Sequence, residues 1–302
     1  MPHSLLGKRV LVTGANGFLG SRLCAALTAK GATTAGLVRT NPGPRAFLLA
    51  RDFSNIENIL TEFKPDAVVH TATRSTAGRT ADELGDMIRS NIEFPSHLLL
   101  AMEKQSIRHL VNCSSSWQAI NGDRFEPFNF YAATKQACED IITDFTHRGL
   151  RSISFRLFDS YGPDDTRGKI LQLVVDAVLG QRPLQMSPGY QKLALVHIDD
   201  ICRAFEQALL RLDNQTVPAH EIFSVCSASL VTLRELVIMV EGITGLRASI
   251  EFGARPYRPL EIMDPRTTYP LIPGWAPGID LEKGLRDCIA ASRRSRSRHV
   301  NG

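Results

Sequence analysis

No apolar stretch in this chain approaches the roughly 20 residues that span a bilayer, and its greasiest patches, such as Leu98-Leu99-Leu100, are of core size. The start, MPHSLLGKRV, has no apolar core of a secretory signal. Both absences predict a cytoplasmic protein with no membrane partner. Cysteine is sparse: Cys24, Cys113, Cys138, Cys202, Cys226 and Cys288 are the only six in 302 residues. None sits in C-x-x-C or in zinc-type spacing with histidine. That excludes a disulfide scaffold, predicts no metal and fits the thiols of a reducing compartment. An excess of one charge is also missing from the body. The formal charge is +4, but Arg293, Arg294, Arg296 and Arg298 crowd the C-terminus, and without those four 31 basic residues face 31 acidic ones. A neutral body carries no electrostatic footprint for nucleic acid. Residues 291–302 read as a basic, disordered tail.

The most informative stretch that is present is KRVLVTGANGFLGSRLCAALTAKGATTAGLVRT, residues 8–40. Arg9–Thr13 carries an apolar run, as expected of a parallel strand buried on both faces. Glycines follow at 14, 17 and 20, and then Phe18, Leu19, Leu23, Ala26 and Leu27 recur at helical spacing. Gly31 ends the helix and Thr34–Val38 is the next strand. A strand, glycine turn, helix and strand within about 30 residues is the context in which glycines cradle a dinucleotide diphosphate. The alternation continues through strands at 67–70, 109–113 and 152–157 and helices at 56–63, 91–105 and 131–147. It predicts an α/β fold, a doubly wound parallel sheet of Rossmann type. Residues 1–162 would form the dinucleotide-binding domain, with 193–226 returning to it. Residues 163–192 and 227–290 would form a smaller, interleaved C-terminal substrate lobe.

Two local signals carry chemistry. Strand two ends Leu37-Val38-Arg39-Thr40, with no acid to bond a ribose 2′-OH. Arginine there suits the 2′-phosphate of NADP, so NADPH is the expected cofactor and NAD the alternative. Farther on, FYAATKQACEDI places Tyr131 and Lys135 at i,i+4 on one helix face. Alone, such a pair is most often solvated surface. After a dinucleotide turn and a serine-rich strand end, it becomes a proton donor with an ammonium that favours the phenolate.

TGxxGFxG at Thr13–Gly20, Asp52-Phe53, VVHTAT at 68–73, Asn91, the serine-rich strand end, Y-x-x-x-K and FRLFDSYGP occur in that order. The chain resembles the extended short-chain dehydrogenases/reductases of the NAD-dependent epimerase/dehydratase family over almost its whole length. The resemblance implies that Gly14, Asn16, Gly17, Phe18 and Leu19 hold the cofactor with Arg39, Tyr131 and Lys135. It also implies that Asp52 and Phe53 flank the adenine and that Thr71, Ala72, Thr73 and Asn91 line the cofactor. It gives Ser115 the place of the catalytic hydroxyl beside Tyr131 and Lys135, with Ser116 as the other choice. His197, Asp199 and Asp200 match a structural family segment.

Sugar-nucleotide dehydratases carry an Asp-Glu pair after the catalytic hydroxyl; here Ser116-Trp117 follows Ser115. SSSWQ, NFYAATKQACEDI and RLFDSYGPDDTRGKI are similar to the subgroup of CDP-abequose and CDP-paratose synthases. That similarity implies NADPH-dependent reduction of the C4 ketone of a nucleotide-linked 4-keto-deoxyhexose in deoxysugar biosynthesis. Ser116, Trp117, Gln118, Asp159, Arg167, Lys169 and Arg255 are the candidate contacts to that nucleotide-sugar substrate. Family epimerases usually have asparagine where Asp159 stands. The alternatives are an NAD-dependent sugar-nucleotide 4-epimerase and a non-catalytic dinucleotide-sensing module. Family members often dimerise through the Tyr131–His147 helix, which implies a homodimer.

Overall fold

The fold comes from a computed structural model that describes residues 4–76, 78–121, 125–214, 216, 218–227 and 229–300, without the side chains of 298–300. It opens with β1 (Arg9–Thr13), α1 (Phe18–Ala29), β2 (Thr33–Val38), β3 (Ala46–Leu48), α2 (Ile56–Phe63), β4 (Ala67–His70) and α3 (Ala81–Ile88). A π-helical turn, Arg89–Glu93, leads into α4 (Phe94–Lys104), followed by β5 (His109–Ser115), a 3-10 turn at Ser116–Gln118, α5 (Phe130–Thr146) and β6 (Arg151–Leu157). Next come β7 (Asp159–Tyr161), α6 (Ile170–Gly180), β8 (Leu184–Met186), β9 (Lys192–Leu193) and β10 (Leu195–His197). The chain ends with α7 (Ile198–Leu212), β11 (His220–Val225), β12 (Val231–Thr232), α8 (Leu233–Thr244), β13 (Ile250–Phe252) and α9 (Leu281–Val300).

Seven strands form one parallel sheet in the order β11-β6-β5-β4-β1-β2-β3. This is the doubly wound Rossmann arrangement. Four residues of β1 and all of β4 are buried, because helices cover both faces of such a sheet. Register brings Thr13 level with Leu37 and His70, His70 level with Asn112, and Ser115 level with Leu157. Ligands of open α/β sheets bind beyond these carboxyl ends. A core that includes Leu11, Phe53, Leu60, Phe94, Met102 and Ile142 packs around the sheet.

The chain divides into two compact units. The first is Met1–Leu157 with Cys202–Val225 and Thr267–Trp275; the second is Phe158–Ile201 with Cys226–Arg266 and Ala276–Gly302. Sequence placed the first boundary at 162 and began the returning segment at 193. The shift follows from pairing: β7 pairs with β10, Leu195 opposite Asp159, so both strands stay in the second unit. Residues 267–275 belong to the first unit because Ser224 N–H donates to the Pro270 carbonyl at 2.8 Å. The second unit has its own core, with Tyr161, Val174, Met186, Leu236 and Ile289 among its members.

The expected disordered tail is corrected by α9, which runs through Val300. Leu285, Cys288 and Ile289 are buried and anchor it, and Arg296 Nη2 donates to the Asp176 carbonyl at 3.0 Å. Residues 301 and 302 lie outside the described residues. Among the described residues no helix is long and apolar enough to cross a membrane.

Candidate active site

Three segments of the first unit meet at the carboxyl end of β1. Gly14 has φ +68°, and a Cβ there would lie 2.8 Å from the Ala72 Cα. A Cβ on Gly20 would lie 2.3 Å from the Gly14 carbonyl oxygen. The turn, the exit of β4 and α1 therefore touch backbone to backbone, and only glycine permits this. Thr13 Oγ1 accepts the N–H groups of Thr71 and Ala72 at 3.2 and 3.1 Å, and Thr71 Oγ1 donates to the Thr13 carbonyl at 2.7 Å. Asn16 Nδ2 donates to the Thr40 carbonyl at 2.7 Å, tying the glycine turn to the end of β2 next to the exposed Arg39. The N-cap of α1 is Gly17, without a side-chain cap bond, and its first turn holds no acid. No acid of its own first turn thus competes for the positive end of the helix dipole, and this cradle fits a dinucleotide diphosphate.

The segment after β4 is held from the other side. Asn91, 1 % exposed, accepts from Thr73 Oγ1 and Arg74 N–H at 3.0 and 2.8 Å. It donates to the Arg74 carbonyl and to Thr134 Oγ1, both at 2.9 Å, and Thr134 donates on to the Tyr131 carbonyl. Asn91 thus joins the cofactor-side loop to α5. It lies in the π-helical turn because Pro95 has no N–H to give the Asn91 carbonyl; Phe94 N–H bonds Arg89 instead.

Helix α5 starts at Asn129, whose side chain accepts the Ala132 N–H at 2.9 Å. Tyr131, Lys135 and Glu139 then fall on one stripe. Tyr131 is half-buried, with its ring edge-on to Trp117 at 6.3 Å. Lys135 is 2 % exposed. Burial opposes its ammonium, but Tyr131, Cys138, Cys113 and Glu139 outweigh burial and hold its pKa above the ordinary lysine value. Burial pushes the Cys138 thiol up to about 11, so it is neutral at pH 7. The attraction between Lys135 and Tyr131 is mutual and favours the phenolate.

Ser115 ends β5 and is buried. Its Oγ accepts the Trp117 N–H at 3.2 Å, so the hydroxyl keeps its proton as a donor. Trp117 packs on Phe128 at 4.9 Å, and Ser116 beside it is half-buried. The profile of the NAD dependent epimerase/dehydratase family matches residues 10–226, which include the glycine turn, Ser115, Tyr131 and Lys135. The chain belongs to that family.

Epimerase/dehydratase relatives of the chain include the CDP-abequose synthase of Yersinia pseudotuberculosis, 28% identical, covering 86% of this chain and 93% of the relative. A UDP-glucose 4-epimerase of Corynebacterium glutamicum is 26% identical over 82% of this chain and 84% of its own. Among solved structures, MoeE5 in complex with UDP-glucose and NAD superposes with a TM-score of 0.82 at 25% identity, covering 95% of this chain and 99% of that one. The Thermus thermophilus UDP-glucose 4-epimerase complex with NAD gives 0.80 at 24% identity, covering 94% and 99%. The family uses a nicotinamide dinucleotide.

Several expected contacts have other occupations. Gln118 does not reach out toward a sugar: it is 0 % exposed, with its amide bonded to Ser115 N–H and to Gln136. The Phe53 ring belongs to the core, against Phe94 and His97 at 5.5 and 5.4 Å. Exposed Asp52 accepts from Ser54, whose side chain and N–H hold its carboxyl below the usual range. In the second unit, Arg167 is committed to protein oxygens. It forks onto both Asp165 oxygens at 2.7 Å and donates to the Ser160 hydroxyl and carbonyl at 3.0 Å. Desolvation raises the Asp159 carboxyl, opposed by Lys169, then Arg258 and Arg167. Arg258 was missed in the sequence, where its exposed neighbour Arg255 drew the attention instead. Buried Asp200 accepts the N–H groups of Gly278 and Ile279 at 3.1 and 3.0 Å, a structural role.

Proposed function

We propose that the chain is an NADPH-dependent 4-ketoreductase of a nucleotide-linked 4-keto-deoxyhexose, acting in deoxysugar assembly. The observation that carries the reading is the turn after Ser115. It holds Ser116, Trp117 and Gln118 beside a buried Lys135 and a half-buried Tyr131. This set moves one proton and offers no carboxylate for eliminating water. The relatives named CDP-abequose synthase support the same reading. Gly14, Gly17, Phe18 and Leu19 would receive the dinucleotide diphosphate and Arg39 the 2′-phosphate.

When bound, the reduced nicotinamide supplies a hydride to the carbonyl carbon. Ser115 donates its hydroxyl to the carbonyl oxygen and holds the ketone. Tyr131 gives its phenolic proton to that oxygen as it becomes an alkoxide, and the sugar leaves as the alcohol. Lys135 stabilises the phenolate that remains. Lys169, Arg255 and Arg258 are our candidate cations for the substrate diphosphate.

A sugar-nucleotide 4-epimerase is the second reading, favoured by the relatives named UDP-glucose 4-epimerase. Purified protein mixed with NADPH and CDP-, dTDP-, UDP- or GDP-linked 4-keto-6-deoxysugars separates the two. The reductase consumes NADPH with one nucleotide series. No consumption, with tightly held NAD and interconversion of a UDP-hexose, moves the assignment to the epimerase. Tyr131→Phe abolishes turnover in either case while dinucleotide binding survives.

A further inference from the structure

We infer that Gln118 is a positioning residue that locks the Ser115 strand end to the helix carrying Tyr131 and Lys135. The inference rests on the roles given above to Ser115 and Tyr131. Ser115 arrives on β5 and Tyr131 on α5, and the chain between them is a loop. Their spacing is therefore set by contacts between the end of β5 and α5, and beside the Trp117–Tyr131 ring contact these are polar.

Gln118 is the joint. Its Oε1 accepts the Ser115 N–H at 2.9 Å and its Nε2 donates to Gln136 Oε1, also at 2.9 Å. Gln136 lies one residue beyond Lys135 on α5. Its Oε1 also accepts from Arg156 Nη2 at 3.2 Å, and Arg156 pairs with Glu139, the next residue of the Tyr131–Lys135 stripe. Ser114 Oγ closes the circuit by donating to Glu139 Oε2 at 2.7 Å. Two consecutive residues of β5 are thus bound to one face of α5 through buried Gln118, Arg156 and Glu139 and half-buried Gln136. The remaining contact at Ser115, Trp117 N–H to Oγ, orients the hydroxyl within this frame.

Stability alone does not account for the arrangement. Gln118, Glu139 and Arg156 are 0, 2 and 4 % exposed. Arg156 Nε and Nη1 are buried with no hydrogen-bond partner among the described residues, and burial lifts the Glu139 carboxyl above its ordinary range despite Arg156 and Ser114. Well-packed apolar residues of the same volume commonly serve a core as well or better. The turn that Gln118 caps, Ser116–Gln118, is three residues long, too short for a capping bond to repay through helix stability. What the bond does fix is the backbone of Ser115. The two bonds of Gln118 specify one geometry where apolar packing tolerates several.

The test uses the full chain with Gln118→Met, which keeps volume and removes both bonds, and Gln136→Leu, which cuts the link one step away at a half-buried position. Four quantities are read: kcat and KM in whichever sugar-nucleotide turnover the wild type performs, NADPH affinity, thermal midpoint, and deuterium exchange of residues 113–119. We expect Gln118→Met to lower kcat about 100-fold, the scale of an ångström-level misplacement, with KM and NADPH affinity within about threefold. Gln136→Leu should follow in the same direction, about tenfold. Exchange should quicken in residues 113–119 while β1 and β4 keep their protection. A kcat within threefold of wild type for both variants overturns the inference. So does a parallel loss of kcat, affinity and protection across the whole sheet, which marks a merely structural role. If the wild type turns over no sugar nucleotide, the proposed function fails; exchange then decides, unchanged protection of 113–119 in Gln118→Met overturning the inference and selective loss supporting it.

Discussion

Replacing His70 by asparagine should change the acid sensitivity of the fold by an amount the structure sets. His70 ends β4 and is 2 % exposed. Its Nδ1 lies 2.9 Å from Thr13 Oγ1, an oxygen that already accepts two backbone N–H groups. The Thr13 hydroxyl proton therefore goes to Nδ1, and the imidazole is the neutral Nε2–H tautomer. Burial, and then the Lys135 charge, push its pKa from 6.5 down to about 3. Below pH 6.5 the unfolded chain binds a proton at His70 that the folded chain refuses down to about pH 3. The contribution is thus complete above 6.5 and is lost as pH falls. Between pH 7 and pH 5 the loss is about 2 kcal/mol. His70→Asn keeps an acceptor near Nδ1, does not titrate, and costs about 1–3 kcal/mol at every pH for the space it leaves. Urea unfolding of both proteins at pH 7, 6 and 5 measures the gap between them. The other histidines with lowered pKa, His109, His197 and His220, cancel in that difference. The gap should narrow by about 2 kcal/mol toward pH 5; a gap constant to within about 0.5 kcal/mol refutes the argument.

Other perturbations act on single contacts. Gly20→Ala gains about 1 kcal/mol of helix propensity but drives a Cβ onto the Gly14 carbonyl. Overpacking of about 1–3 kcal/mol should prevail, lowering the thermal midpoint and weakening NADPH binding about tenfold in a fluorescence titration. Gly284→Ala places its Cβ 2.2 Å from the Tyr161 hydroxyl. It should destabilise by about 1–3 kcal/mol in urea with dinucleotide affinity unchanged; a stabilised protein would contradict the packing. Arg39→Ala should cost NADPH about 1.5–3 kcal/mol of binding and leave NADH as before. Equal losses for both cofactors would remove Arg39 from the 2′-phosphate. Light scattering tests the proposed homodimer, for which exposed Leu100 on α4 and Phe130 on α5 are the available apolar positions.

Legibility tracked the range of the physics. The first strand, the helix at 56–63 and the strand at 67–70 were readable to the residue because burial imposes their apolar patterns locally. The glycine turn and the Tyr131–Lys135 spacing were equally visible, since a turn and an i,i+4 face are short-range facts. β3 was not visible: three residues on a sheet edge have no period to detect. The C-terminal helix was hidden because an Arg/Ser segment has no apolar face of its own, and its order is inherited from the buried Leu285–Ile289 turn. The hold of Asp165, two residues away, on the Arg167 guanidinium was not foreseen, because a polar loop carries no period that shows which of its charges pair. A signal existed for the π-helical turn, because Pro95 removes a needed donor four residues after Asn91. For Gln118 the spacing Ser115-x-x-Gln118 is that of a capping box, but nothing local announces its second partner, Gln136, which lies on α5.

The order of strands also bears on how the protein is made. β11 pairs with β6, closing that side of the sheet, yet the two are separated in sequence by β7, α6, β8, β9, β10 and α7. A ribosome adding about 5–20 residues per second needs several seconds to deliver the closing strand after Leu157 has emerged. For that interval β6 is a bare parallel edge, with its N–H and C=O groups open to any passing strand. The nascent chain is thus most exposed to misassociation midway through synthesis, when β1 to β6 have emerged and the strand that closes their sheet has not. Slow codons or a chaperone pause after residue 157 would lengthen that interval, and faster delivery of residues 220–225 would shorten it.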